Sequence, residues 1–95
     1  VAVRQSNLAL VYRNLGEYER ARDLLEKALA SAIEHFGDKH PKVATHQSNL
    51  ANVYGDLGQH ERARDLLEKA LASDIENFGE KHPKVALRQS NLGEV

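Results

Sequence analysis

The five histidines are the residues of this 95-residue chain with the widest chemical range, since imidazole serves as a metal ligand, general acid or general base. Binding of zinc or iron needs several such groups at a spacing that brings them together. His35, His46 and His60 each give way to another residue type 42 positions away, where the sequence repeats itself, so no ligand cluster is built up. We therefore expect no metal site.

The two remaining histidines, His40 and His82, each precede a proline. Pro41 and Pro83 suit the first turn of a helix, where the missing N–H costs little. This pattern predicts that both histidines orient or cap a helix start and take no part in metal binding.

Patterns typical of catalysis are missing from the sequence. It has no cysteine, no Gly-x-Ser-x-Gly nucleophile turn, no glycine-rich phosphate loop and no His-Glu-x-x-His zinc helix. Asp23 and Glu26 lie among Arg22 and Lys27, which indicates a solvated charged helix face and not a general acid–base pair. We expect no enzyme activity and no cofactor.

The composition also restricts the partners. With 13 basic and 14 acidic residues the net charge is −1, so no overall positive field attracts nucleic acid or an anionic membrane. The aromatic side chains, apart from Tyr18, stand at buried spacing and are not placed to stack on bases. We expect no binding to nucleic acid or membrane.

Features of targeting are also missing. No apolar run reaches the length of a membrane span, and the first residues lack the order of a signal peptide. A chain without cysteine favours a reducing compartment, so we expect a cytoplasmic protein. Because the sequence contains no methionine and begins within its own repeat pattern, we expect it to be a piece of a longer chain.

An internal repeat organises the sequence. Residues 1–42 align without gaps on residues 43–84, with 32 of the 42 aligned pairs identical, and residues 85–95 begin a third copy. A period of this size is typical of solenoids, in which each unit packs mainly on its neighbours. The predicted organisation is repeat 1 over 1–42, repeat 2 over 43–84 and a single helix of a partial repeat 3 over 85–95.

Each full copy contains two helical patterns joined by a short turn. The second pattern repeats apolar residues at i, i+3, i+4 and i+7 with charged residues opposite, which predicts an amphipathic helix. Its apolar positions in repeat 1 are Ala21, Leu24, Leu25, Ala28, Leu29, Ala32, Ile33 and Phe36. The first pattern is marked by an apolar stripe that we expect to face the partner helix. This stripe consists of Leu8, Val11, Tyr12 and Leu15, with Leu50, Val53, Tyr54 and Leu57 repeating it.

Glycine and proline set the predicted bounds of the helices. Gly16 and Gly37 end the two helices of repeat 1 as C-cap glycines, and Gly58 and Gly79 repeat them. The predicted helices are 1–15, 18–36, 41–57, 60–78 and 83–95. The sequence therefore predicts an all-α solenoid of antiparallel helix pairs, without strands.

The residues that mark these helices resemble the tetratricopeptide repeat. The matching positions in repeat 1 are Asn7-Leu8-Ala9, Tyr12, Gly16, Tyr18, Ala21, Leu25 and Ala28-Leu29. The period exceeds the ordinary 34 residues of that family, and the segment 36–41 resembles the long variant found in kinesin light chains and bacterial repeat proteins. The resemblance implies a helical scaffold that binds peptides or proteins in a concave groove lined by first helices.

The chain departs from this family at Gln5, Gln47 and Gln89, where Trp or Leu is common. We therefore expect one of the helix contacts to be more polar than usual. The departure concerns local packing and not the fold.

The copies differ most on one side of the first helix. At about 100° per residue, the stripe through positions 3, 6, 10, 13 and 17 lies roughly 190° from the apolar stripe. Four of its five residue pairs differ between the copies, whereas six charged positions of the second helix are unchanged. This divergence predicts that each copy presents different groups to one extended ligand, and chance divergence after a recent duplication is the alternative. The predicted groove residues are Val3, Ser6, Asn7, Leu10, Arg13, Asn14, Thr45, Ser48, Asn49, Asn52, Asp56 and Asn91.

Asn7, Asn49 and Asn91 recur 42 residues apart and form a ladder of amides beside this stripe. Amides in a groove can pair with the backbone of a ligand, or each can instead bond to the next repeat. Arg13 is the one basic residue of the stripe, flanked by Arg4 and Arg88. We therefore expect no strong clamp for a terminal carboxylate.

Together these patterns predict a non-catalytic protein–protein interaction module whose partner is a peptide or a protein. The alternative is a structural spacer of a longer superhelix whose groove binds nothing. Leu92 and Val95 of the last helix lack the cover of a partner helix, and an uncovered helix face is worth on the order of a few kcal/mol. We therefore also expect self-association through the exposed repeat ends.

Overall fold

The computed structural model describes the backbone of residues 2–93 and the side chains of residues 5–90. Within this range the chain forms five helices and no strand. They are α1 (Ala2–Asn14), α2 (Tyr18–Phe36), α3 (Pro41–Asp56), α4 (His60–Phe78) and α5 (Pro83–Gly93). The predicted all-α architecture is confirmed. The predicted helix bounds agree with the observed ones within one residue, except that the predicted start at residue 1 and the predicted end at residue 95 lie outside the described residues.

The helices pack in the order of the chain. α1 contacts α2, α2 contacts α3, α3 contacts α4 and α4 contacts α5, while α1 and α3 meet along a narrow edge. The first helices α1 and α3 thus lie side by side, each paired with its own second helix. This is the arrangement of a solenoid and not of a bundle around a closed centre.

Glycines in the left-handed region end the helices. Gly16 and Gly58 have φ of 80° and 78° and lie in the turn within each repeat, while Gly37 and Gly79 both have φ of 87° and follow the second helices. Only glycine adopts this conformation without a steric cost from a Cβ atom. Gly37 and Gly79 are the C-caps of α2 and α4 as predicted, whereas the C-cap of α3 is Leu57 and Gly58 follows it.

A histidine caps the helix that follows each turn between repeats. His40 Nδ1 accepts a hydrogen bond from the Lys42 backbone N–H at 3.1 Å, and the His40 ring stacks on Phe36 with centroids 4.4 Å apart. His82 bonds to the Lys84 N–H at the same distance. The predicted capping role of both histidines is confirmed.

The turn between the repeats is also tied to α4. Ser73 Oγ and Asn77 Nδ2 both donate to the backbone carbonyl of Lys39, at 3.0 and 2.8 Å. The second helix of repeat 2 therefore fixes the segment that leads from α2 into α3.

Alanine allows the helices to approach each other closely. Ala21 and Ala28 of α2 are fully buried, as are Ala63 and Ala70 at the same positions of α4. Leucines fill the space around them, and the central core cluster includes Leu25. Ile33 and Phe36, predicted as part of the same apolar stripe, are instead exposed, and Phe36 stacks on His40.

The apolar stripe of α1 does not face its partner helix as expected. Leu8, Val11 and Leu15 are exposed, and among the described side chains of α1 Ala9 is the fully buried apolar one. On the α1 side the core is therefore met by Ala9 and by the partly buried Tyr12, the member of the predicted stripe that packs on the core. The leucine stripe points to the side of α1 on which no other helix lies.

The same stripe in repeat 2 is buried. Leu50 is 3% exposed whereas Leu8, its counterpart, is 45% exposed, and Val53 is buried like Leu50. Both first helices have their own second helix beside them, but only α3 also has the second helix of the preceding repeat, α2, packed against it. The leucine stripe is thus the contact between repeats, and we call Leu8, Val11 and Leu15 the joint face of α1.

The two contacts between repeats differ in charge. At the contact of α4 with α5, the buried Asp74 pairs with Arg88, with 2.9 Å between Oδ2 and Nε. The two groups lack the linear geometry of a hydrogen bond, so charge holds the pair. At the contact of α2 with α3 the same positions hold Ala32 and His46. Removing one partner of a buried ion pair costs about 3–5 kcal/mol, so each contact needs its own matched residues.

The glutamine that replaces an apolar family residue is buried in the same region. Gln47 of α3 is among the buried polar side chains, and its Oε1 atom is shielded from solvent. The more polar helix contact expected from the sequence is therefore present at this position.

Two glycines near the end of α3 give opposite expectations on replacement by alanine. Gly58→Ala should lower the free energy of unfolding by about 1 kcal/mol, because φ is positive there. Gly55→Ala should raise it by about 0.4–1 kcal/mol, because Gly55 is helical and a Cβ atom would meet nothing within 4 Å. Urea unfolding followed by circular dichroism measures both, and two shifts of the same sign would contradict the helix end described above.

Candidate functional site

One narrow stripe of α3 remains open to solvent. Thr45, Asn52 and Asp56 are exposed and Asn49 is half-buried, at spacings of four, three and four residues, while most other residues of α3 are buried. α3 is covered by α2 and α4 on its sides, so this stripe is the one direction in which it can meet a ligand.

The stripe continues onto the neighbouring first helices. Asn7, Leu10 and Asn14 occupy the same positions of α1 and are all exposed, with Leu10 at 48%. On α5 the corresponding residue is Leu87, which is 55% exposed. We call this surface the first-helix face. It consists of Asn7, Leu10, Asn14, Thr45, Asn49, Asn52, Asp56 and Leu87.

Two serines predicted to line the groove are buried. Ser6 lies against α3, where its Oγ atom is 3.0 Å from Nδ1 of His46, and Ser48 is buried at the same position of repeat 2. Among the described residues the exposed stripe follows positions 7, 10 and 14 of repeat 1 and positions 3, 7, 10 and 14 of repeat 2, so position 6 turns away from solvent. Ser6 therefore supports the packing of α1 on α3, and neither serine is accessible to a ligand.

A predicted groove residue that carries charge is already paired. The Arg13 guanidinium of α1 donates to the Asp56 carboxylate of α3 through both Nε and Nη2, the latter at 3.3 Å from Oδ1. This hydrogen bond raises the pKa of Arg13 above its ordinary value, against the opposing effect of partial burial. The pair joins the two first helices and neutralises both charges at this end of the face.

Val3 and Asn91, the remaining predicted groove residues, have side chains outside the described residues. Leu87 was missed by the sequence prediction. It stands 42 residues after Thr45 and 84 after Val3, both of which were included, so the repeat period itself was the signal that could have found it.

The first-helix face does not assemble a reactive centre. Within the part of the chain that the structure describes, no group of three or more His, Asp or Glu side chains is placed to hold a metal ion. His46 is the buried histidine nearest to this face, and burial lowers its pKa below the ordinary value of 6.5. Its imidazole is held in the neutral form beside Ser6 and faces inward.

A second concave feature lies on the opposite side, between α2 and α4. It is an open cleft of about 450 Å³ with Leu29, Ile33 and Leu66 on its walls. Tyr54 lies at its floor and donates to Glu26 Oε1 at 3.4 Å. Burial, together with the charge of Glu26, raises the pKa of Tyr54. The cleft is a consequence of α3 being shared by two second helices.

No described helix has the length and apolar character needed to cross a membrane.

The chain is similar to known repeat proteins. The family described as tetratricopeptide repeat matches residues 2–76 and, in an overlapping match, residues 44–95. Two solved structures superpose on this chain with a TM-score of 0.87 at 30% identity. One is of a protein described as a Podosopora anserina kinesin light chain with nearly identical TPR-like repeats, and the other is of a glutamine-to-methionine variant of that protein. Each match covers 96% of this chain and 43% of the solved one, so the chain spans less than half the length of those structures. The comparison with curated proteins gave no match.

The buried histidine makes a prediction about pH. Because the pKa of His46 is lowered in the folded state, the unfolded chain binds a proton there more readily, so His46 contributes its full stability above about pH 6.5 and less as the pH falls. Replacing it by asparagine should therefore reduce the loss of stability between pH 7.5 and 5.5. Urea unfolding of both proteins over this range measures the difference, and parallel curves would contradict the burial of a neutral imidazole.

Proposed function

Since the chain belongs to the tetratricopeptide repeat family, whose members are commonly protein-interaction modules, we propose that its first-helix face binds an extended peptide segment of a partner protein. The observation that carries this proposal is that exposed residues at matching positions of α1, α3 and α5 form one shared face. A peptide lying across three parallel helices at this face would meet each repeat in turn.

The chemistry of the face favours an uncharged segment. Asn7, Asn14, Asn49 and Asn52 supply amide groups that can donate to and accept from a peptide backbone. Leu10 lies among them as an exposed apolar residue that would contact a side chain of the ligand. Specificity would then come from apolar contacts and affinity from backbone hydrogen bonds.

The pairing of Arg13 with Asp56 argues against recognition of a strongly charged peptide. Each side chain is already in contact with the opposite charge. A ligand carboxylate would have to displace Asp56 from Arg13, and a ligand ammonium would have to displace Arg13 from Asp56. For the same reason a clamp for a terminal carboxylate is not part of the proposal.

The differences between repeats support a ligand that is read position by position. Leu10 corresponds to Asn52, and Thr45 corresponds to Leu87. At equivalent positions of the face, one repeat therefore has an apolar side chain where its neighbour has a polar one. The second candidate is a structural spacer without a ligand. The high sequence identity of the two repeats outside this face supports that candidate. We propose no catalytic activity for this segment.

The proposal is tested with peptides selected from a random 12-residue display library against the intact chain. Leu10→Glu and Asn52→Arg should each weaken binding of a selected peptide by tenfold or more, which corresponds to about 1.4 kcal/mol. Leu8→Glu is the matched control, since Leu8 is exposed on the same helix to a similar degree but lies on the joint face. Fluorescence polarisation should show a change of less than about twofold for it.

Two outcomes would contradict binding at the first-helix face. One is a selection that gives no peptide whose labelled form is displaced by its unlabelled form. This result would favour a structural spacer without a ligand. The other is a loss of affinity as large for Leu8→Glu as for Leu10→Glu, which would place the ligand on another surface.

A further inference from the structure

The first-helix face carries apolar side chains at two separate places. Leu10 of α1 is 48% exposed and Leu87 of α5 is 55% exposed, whereas the other residues that make up the face are polar. The helix between them, α3, has Asn52 and Thr45 at the two matching positions. An apolar side chain of a ligand therefore finds an apolar partner on either side of α3.

Exposure at these two positions is a property of the repeat. Asn52 and Thr45 are exposed although α3 is packed between α2 and α4. Positions 10 and 3 of a repeat thus stay open to solvent even where second helices lie on both sides of the first helix. The exposure of Leu10 and Leu87 therefore does not depend on which helices lie beside α1 and α5.

The two leucines lie obliquely across the face. Leu10 is at position 10 of its repeat and Leu87 at position 3, a difference of seven residues or roughly 10 Å along the helix axis. Neighbouring packed helices have axes about 8–10 Å apart, and α5 is two such steps from α1, so the sideways separation is roughly 16–20 Å. The direct distance between the two leucines is then roughly 19–22 Å.

An extended peptide covers this distance with a definite number of residues. It rises about 3.3 Å per residue, and its side chains alternate between two sides, so side chains on the same side are an even number of residues apart. Six residues cover about 20 Å, whereas four cover about 13 Å and eight about 26 Å. Side chains at positions i and i+6 of such a peptide therefore reach both leucines at once.

The amide of Asn49 lies near the middle of this path. Asn49 is at position 7 on α3, between position 10 of α1 and position 3 of α5, and it is half-buried. A half-buried side chain has less freedom to lose on binding, and its amide can both donate to and accept from a peptide backbone. A path straight across at position 3 would instead meet Thr45, whose hydroxyl already donates to the Pro41 carbonyl at 3.3 Å.

We propose that the peptide bound at the first-helix face is extended and has two apolar side chains six residues apart, one on Leu10 and one on Leu87, with its backbone hydrogen-bonded to Asn49 between them. This inference rests on the proposed function and names the class of peptide that the face selects. Contact with one leucine alone would leave the peptide free to turn, whereas contact with both fixes its position and its tilt across the helices.

The peptides selected in the test of the proposed function are the probes for this spacing. Fluorescence polarisation with the full chain should identify two apolar residues, six positions apart, whose replacement by serine weakens binding by tenfold or more. Inserting or removing one serine between them should weaken binding by a similar factor, because one side chain then points to the wrong side of the peptide. Peptides with a single apolar anchor, or with equal affinity at other spacings, would overturn the inference.

An exchange of two residues of this chain gives a sharper test. The double variant Leu10→Asn and Asn52→Leu keeps the composition, and each helix receives the residue that its neighbour has at the same position. The apolar group then lies one helix from Leu87 instead of two, at roughly 13–14 Å, which four residues of extended peptide span. The preferred spacing of the two anchors should therefore change from six to four.

Leu8→Asn is the matched control for this exchange, since Leu8 is exposed on α1 to a similar degree but lies outside the first-helix face. The preferred spacing should stay at six in this variant. A preference that also stays at six in the exchange variant would contradict the contact with Leu10.

The remaining outcomes separate this inference from the proposed function. A selected peptide that loses affinity with Leu10→Glu but has no preferred anchor spacing supports binding at the face and overturns the inference alone. Affinity that falls with Leu87→Thr but not with Leu10→Asn indicates a peptide that crosses the helices at one height, which rules out the oblique path. A selection without any binding peptide overturns both.

Discussion

The structure depends on the two kinds of contact that a first helix makes with second helices, both of which are present at α3. Its own second helix covers one side through small residues such as Ala9, and the second helix of the preceding repeat covers the other through leucine and valine. Burial of a leucine contributes about 1.5–3 kcal/mol, so the second cover is as important to stability as the first. Where both covers are present, as on α3, most of the helix is buried and only a narrow stripe is left for function. On α1, which contacts only α2 among the second helices, the same apolar residues are exposed.

The polar residues at the contacts between repeats add selectivity to this apolar cover. One contact has a buried carboxylate with its arginine partner, and the other has alanine with a neutral histidine. Replacing one residue of either pair by its counterpart from the other contact would leave a charge unpaired. In a chain whose repeats are otherwise nearly identical, such differences distinguish one contact from the next. The turn between the repeats is equally well defined, since a histidine cap and two side chains of α4 hold its backbone.

The surface left for a partner follows from the same constraint. Since α3 is enclosed by two second helices, its exposed residues share one face with those of α1 and α5, and this face is rich in asparagine. The one ion pair on it joins two first helices and removes the charges that would otherwise dominate recognition. The opposite side of the molecule carries an apolar cleft between second helices, but its residues mainly serve the packing of α3.

The sequence by itself determined the repeat, the five helices and their ends, because a 42-residue period, a 3.6-residue apolar period, and glycine and proline at fixed positions are properties of the chain alone. It also placed most of the exposed stripe, including Leu10, Asn49 and Asn52. Only the tertiary structure decided which neighbour each side of a first helix meets. An apolar period does not show which helix a stripe contacts, so Leu8 was assigned to the partner helix of its own repeat and Ser6 to the exposed face. The pairs Arg13–Asp56 and Asp74–Arg88 could not be foreseen for the same reason, since they join residues whose proximity exists only after the repeats have stacked.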